Sequence, residues 1–228
     1  MCWEADPYTR ALRTGRGPLF LRSTAGWLLP LDVQRWCAEP DGADLTVLAR
    51  CRGAVLDVGC GPGRLVRTLA ARGHRALGID ISPEAVRCAA RTGGPAMVRS
   101  VFDPLPDEGR WDTALLVDGN IGIGGNPAAL LDRMAQIVRP SGTLLVETAP
   151  PGLHDDLDEH VEVHLDDGNG PHGDAFPWAR VGPRALLRHS KPAGWTPACT
   201  WTAPDRRFVA LVRHGTTADA RRGVNDGA

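Results

Sequence analysis

The chain has 228 residues, 43% of them hydrophobic, enough for one large domain with a sizeable core or one domain with an appendage. A net charge of −1 argues against the electrostatic footprint of a nucleic-acid or anionic-membrane binder, and no run approaches the roughly 18 apolar residues of a membrane helix. Arginine carries nearly all the positive charge, with Lys191 the only lysine. Cys2, Cys37, Cys51, Cys60, Cys88 and Cys199 form no CxxC pair, the pattern of reduced thiols in a cytoplasmic protein rather than of a disulfide frame or zinc site. The first ten residues lack a basic start followed by an apolar stretch, so no signal peptide is expected.

Helical stretches are expected around 7–13 and 30–50, giving an N-terminal helical cap over residues 1–50. From residue 54 strands and helices alternate. The run 54–59 (AVLDVG) reads as a buried strand, 64–73 as an amphipathic helix ended by Gly73, and 75–80 as a second strand. Ser82 and Pro83 then offer an N-cap and a first helical residue. Further strands are expected at 96–103, 111–118 and 142–148, with a helix from Asn126-Pro127 to Val138. This alternation predicts an α/β fold with a mostly parallel sheet covered on both faces. Beyond it, 159–165 and 175–182 suit a hairpin inside a substrate-side insertion (153–182). A helix is expected near 183–193, then two closing strands, 196–203 and 207–213, joined by a tight turn. The main domain is placed at 51–214 and a polar, disordered tail at 215–228.

Two glycine-rich turns follow strands. In the first, Asp57-Val58-Gly59-Cys60-Gly61-Pro62-Gly63, glycines let backbone approach a ligand and aim helix N–H groups at it. The spacing departs from the dinucleotide GxGxxG, because the third glycine comes one residue early and Arg64 follows. A P-loop would need a lysine, and none is present here. Nicotinamide and ATP sites are therefore both disfavoured.

The stretch VLDVGCGPG resembles the first motif of class I S-adenosylmethionine-dependent methyltransferases, and the resemblance recurs at successive strand ends over residues 53–148. It implies a three-layer Rossmann-like sheet, mostly parallel with an antiparallel last strand. It also implies S-adenosylmethionine as cofactor and S-adenosylhomocysteine as product. By the same resemblance Gly59, Cys60, Gly61 and Gly63 wrap the amino-acid moiety and Asp57 orients its ammonium. Asp80 would accept hydrogen bonds from both ribose hydroxyls, Ile81 would lie against adenine, and Phe102 and Asp103 would read the adenine edge. A sulfonium with a diol and a zwitterion calls for carboxylates and backbone amides, not a cationic phosphate cradle.

The second turn, Asp118-Gly119-Asn120-Ile121-Gly122-Ile123-Gly124-Gly125, falls where that family faces the methyl group. It lacks the Pro-Pro-aromatic continuation of amide and exocyclic-amine methylases and the Pro-Cys of pyrimidine carbon-5 methylases. The Asp-Asn pair of the metal-dependent catechol type is also missing after the fifth strand, and no metal is expected. Asp118 and Gly119 suit cofactor contacts; the glycines either press the loop against the ligands or form a flexible link to Asn126.

An oxygen or nitrogen acceptor must lose a proton, and the segment 154–164 holds the candidate bases His154, His160 and His164. Period two puts His160, Glu162 and His164 on one strand face, which equally describes the wet face of a half-buried strand. Arg10, Arg13, Arg16 and Arg22, near Tyr8 and Phe20, suit either an anion clamp or a solvated face. The reading that follows is a cytoplasmic enzyme, monomer or homodimer, methylating an oxygen or nitrogen of a small-molecule acceptor. The rival is a methyltransferase-like fold that binds the cofactor or a partner without turnover; a partly apolar pocket under the insertion would favour the enzyme.

Overall fold

The computed structural model describes residues 6–215; the expectations for Cys2 and for the tail beyond Gly215 lie outside them. A seven-stranded sheet forms the centre, in the order β10-β11-β7-β6-β3-β4-β5. Its parallel part comprises β3 (Val55–Val58), β4 (Ala76–Asp80), β5 (Ala96–Val98), β6 (Trp111–Leu116) and β7 (Val138–Thr148). Strand β11 (Arg206–Arg213) runs antiparallel between β7 and β10 (Trp195–Ala203). Every residue of β3 is buried, because helices cover both sheet faces. One face packs around Leu56, Leu116, Leu130, Met134 and Trp195, the other around Val47, Leu69, Leu115, Leu145 and Phe208.

Local sequence explains most helix limits. Helix α4 (Arg64–Ala71) starts at the glycine turn. In α5 (Pro83–Arg91) the Ser82 hydroxyl accepts from Ala85 N–H, and in α6 (Pro127–Ile137) the Asn126 side chain accepts from Ala129 N–H. Helix α1 (Pro7–Thr14) is capped by Asp6, and α7 spans Pro183–Ser190. The helical stretch expected at 30–50 is two helices, α2 (Val33–Cys37) and α3 (Gly42–Leu48), interrupted around Pro40, whose ring cannot continue a helix. The strand expected at 96–103 stops at Val98: β5 is the sheet edge and has only β4 to pair with.

The N-terminal part is not helical throughout. Strands β1 (Phe20–Ser23) and β2 (Leu28–Pro30) form a hairpin that joins β8 (Asp158–Asp166) and β9 (Pro171–Val181) in a second sheet, ordered β2-β1-β8-β9. N-terminal segment and insertion therefore share one lid. Of the two roles open to the N-terminal arginines, these follow the solvated face with ion pairs: Arg10 pairs with Asp167 and Arg22 with Asp166, which fasten the lid, and Arg13 pairs with Glu84 of α5.

The second glycine turn is the seat of this lid. Beside a single 3-10 turn at Asn120–Gly122, Ile123 bridges to Trp178 of β9. A Cβ on Gly122 would stand 2.3 Å from the Ala179 carbonyl oxygen and 2.7 Å from the Trp178 ring, so β9 reaches the turn only because no side chain is there. Gly122→Ala is expected to cost about 2 kcal/mol by overpacking. Thermal denaturation would register this as a Tm lowered by roughly 4–8 °C.

Candidate active site

Strand order reverses at β3, which has β4 on one side and β6 on the other, and such a switch point opens a crevice at the carboxyl ends of the strands. A cavity of about 780 Å³ occupies it. At its floor the first turn folds back on β4: Gly59 and Cys60 N–H both donate to the Ile79 carbonyl, at 2.8 and 3.0 Å. Gly59, Gly61 and Gly63 all have positive φ. Gly63 serves packing: a Cβ there would come within 2.6 Å of Ala89 Cβ in α5, and the residue is not on the cavity wall. Asn120, from the second turn, donates from Nδ2 to the carbonyls of Val58 and Gly59, at 2.8 and 3.1 Å, tying the two glycine turns together.

Asp57 and Asp80 line this floor. Asp80 accepts Gly61 N–H at 2.9 Å and Ser82 N–H at 2.8 Å. Burial raises its pKa, and these backbone donors offset part of the rise, leaving it at about 6. Asp57 is 3% exposed, yet among the described residues no group donates a hydrogen bond to its carboxylate. Burial first, then the nearby Asp118, Asp80 and Asp44, push its pKa up to about 7 against the partial relief of Arg64.

Asp118 stands differently. Its carboxylate receives Arg35 at 2.7 Å, Arg64 at 2.6 Å and Arg206 at 3.1 Å. Burial alone would raise its pKa, but Arg64, Arg35 and Arg206 together hold it below the usual carboxylate range. Arg64 continues to Asp44, and Arg206 to Asp44 and Glu147. Asp118 touches the cavity as part of this buried network, while Gly119 beside it is off the wall. At the mouth, Ile81 and Phe102 line the opening and are 57% and 46% exposed. Asp103 turns away: it is exposed, and its carbonyl accepts from Arg133 at 2.8 Å.

The upper wall comes from the lid and the N-terminal helices: Tyr8, Leu21, Trp36, Leu165, Phe176 and Trp178. The Trp36 indole N–H is buried without an acceptor among the described residues. None of the three expected bases lines the cavity. His154 lies at a separate shallow surface depression with Asp155, Asp156 and Arg184. His160 and His164 point their Nδ1 atoms at the carbonyls of Gly125 and Gly173, at 2.7 and 3.1 Å. Instead His172, of β9, is on the wall, with Nε2 3.0 Å from Asp167 Oδ1. The sequence signal for His172 is its place in the loose turn between the hairpin strands, and the signal for Arg64 is its departure from the dinucleotide fingerprint. The remaining wall residues lie far apart in the chain and carry no common local pattern.

With this geometry in view, residues 35–178 match the family described as a methyltransferase domain. The chain belongs to that family. A ubiquinone biosynthesis O-methyltransferase of Xylella fastidiosa (strain 9a5c) is 29% identical over 153 residues, 63% of this chain and 62% of that enzyme's length. The methyltransferase chain therefore spans under two thirds of this relative. Among solved structures, an S-adenosylmethionine-dependent methyltransferase from Bacteroides fragilis, in complex with S-adenosylhomocysteine, superposes with a TM-score of 0.77 at 22% identity, covering 94% of this chain and 98% of that one. A Burkholderia thailandensis 1,6-didemethyltoxoflavin N1-methyltransferase gives 0.56 at 19% identity, over 76% of this chain and 78% of its own.

The raised pKa of Asp57 has a stability consequence. The folded state holds this proton more tightly than the unfolded state, so the group's contribution is complete near pH 4 and is lost as pH rises towards about 7. Asp57→Asn removes that loss. The ligand-free variant is expected to exceed the parent in urea-unfolding stability at about pH 8, on the order of 4 kcal/mol, and to converge with it near pH 4.

Proposed function

We propose that this methyltransferase binds S-adenosylmethionine in the crevice and transfers its methyl group to an oxygen or nitrogen of a small acceptor with a flat, apolar body. The observation that carries the reading is one continuous cavity with two chemistries. Its floor holds Asp57, a buried carboxylate without a donor, suited to an α-ammonium, and Asp80, with acceptor capacity left for a ribose diol. Ile81 and Phe102 offer exposed apolar surface for adenine, with the backbone of Ser100 and Val101 beside them. The other end is walled by Tyr8, Leu21, Trp36, Phe176 and Trp178, which suits an aromatic ring rather than an extended polymer.

Transfer is an in-line displacement at carbon: the acceptor atom attacks the methyl group and the sulfur leaves as a thioether. The protein's task is to align the two and exclude water. His172 is the residue we assign to the acceptor's proton. The Asp167 carboxylate only accepts, so it fixes hydrogen on Nε2 and leaves Nδ1 with the lone pair. The Xylella and Burkholderia relatives, named for O- and N-methyl transfer, support an acceptor of this kind in small-molecule biosynthesis.

Calorimetry with S-adenosylhomocysteine tests the floor. Micromolar binding is expected, weakened at least ~10-fold by Asp80→Ala and by Asp57→Asn. Because a bound ammonium favours the ionised form of Asp57, the affinity should fall as pH drops below about 7. No binding at all would sink the cofactor assignment. Once screening of phenolic and amino-substituted rings finds an acceptor, His172→Gln should lower kcat by roughly 10²–10⁴ with S-adenosylhomocysteine affinity unchanged. An unaltered kcat removes the base while leaving methyl transfer standing.

A further inference from the structure

Away from the cavity, three side chains that methyl transfer does not use meet on the flank of the lid. They are Asp158 and His160 of β8 and His189 of α7. His189 Nε2 lies 2.9 Å from both Asp158 oxygens, and His160 Nε2 lies 3.3 Å from Oδ1. One donor atom from each residue falls within 4.8 Å of the others. The sequence places Glu162 and His164 beside His160 on one strand face. The structure brings Asp158 and His189 to it instead, and His189 arrives from a different element.

The hydrogen-bond chemistry of His160 is informative. Its Nδ1 is 2.7 Å from the Gly125 carbonyl, which only accepts, so Nδ1 carries hydrogen. A neutral ring then presents its lone pair at Nε2 to the Asp158 carboxylate, which also only accepts. Two acceptor atoms facing each other in this way form a pair that a metal ion between them would satisfy. A histidine held by its far nitrogen on a backbone carbonyl is also the arrangement by which metal-binding imidazoles are oriented.

We propose that Asp158, His160 and His189 bind a divalent ion of the zinc class. Two imidazole nitrogens and one carboxylate oxygen suit zinc, cobalt or nickel better than magnesium or calcium. Tetrahedral zinc keeps its ligand atoms about 3.4 Å apart. The 2.9 and 3.3 Å separations reach that value through small rotations of partly exposed side chains. The competing cation is Arg188, 3.8 Å from Asp158; it also pairs with Asp156 and is 54% exposed, so it can swing aside. The bound ion would join β8 to α7. Through His160 it would also hold Gly125, next to Ile123 and Gly124 of the cavity wall. It acts as a clamp on the lid, independent of the identity of the acceptor.

Zinc chloride titrated calorimetrically into the chelator-treated full chain provides the test, with cobalt as a spectroscopic substitute. One equivalent should bind with a micromolar Kd and raise Tm, and His189→Gln and Asp158→Asn should each weaken binding by at least ~10-fold. Circular dichroism and S-adenosylhomocysteine affinity serve to verify that the variants are folded. Cys37 and Cys199 are exposed thiols and rival ligands, so the titration is repeated on alkylated protein, where binding should persist. Binding no tighter than about millimolar, binding indifferent to His189→Gln, or binding lost on alkylation would each overturn the site.

Discussion

Charge balance at the carboxyl ends of the central strands governs this structure. Burying carboxylates there is costly unless cations accompany them. Asp118 gathers Arg35 from α2, Arg64 from α4 and Arg206 from the start of β11, and through them Asp44 and Glu147. Such a network is weak evidence for stability, since its desolvation is expensive, but it fixes where six separate segments sit. It also takes up Arg64 with Asp44 and Asp118, so that Asp57 receives no hydrogen bond from this guanidinium and feels only its charge. The floor of the crevice is left short of positive charge, and a cationic ligand is the natural remedy.

The two glycine turns divide the work. The first brings backbone against the cavity floor, and the second receives β9 from above while Asn120 joins the two. A side chain on either side of that contact would separate lid from sheet. The second turn thus acts chiefly through its shape: its glycines clear space for Pro177 and Trp178, whose ring then faces the cavity.

What the sequence discloses follows the distance over which its signals act. The strand-turn-helix units around Asp57 and Asp80, and the caps at Ser82 and Asn126, are legible because every informative residue lies within one local element. The lid sheet is not legible in the same way. Strands of four and three residues carry too little periodicity, and the β8 partner of β1 lies far along the chain. His160 and His164 stand out in an alternating pattern, yet their rings reach backbone carbonyls, whereas His172, at the start of β9, reaches the cavity. Alternation identifies the face of a strand but not what that face meets. The motif singles out Arg64 but not its ion pairs, since its partners Asp44 and Asp118 are 20 and 54 residues away.

The pairing of β1 with β8 also sets an order of events on the ribosome. Arg22 and Asp166 are 144 residues apart, so the N-terminal hairpin emerges long before the strand that completes its sheet. At ordinary synthesis rates that interval is roughly 7–30 s. Throughout it, Leu21 and the open edge of β1 lack the cover they have in the finished molecule. The roof of the cavity therefore closes only after the crevice beneath it has been synthesised.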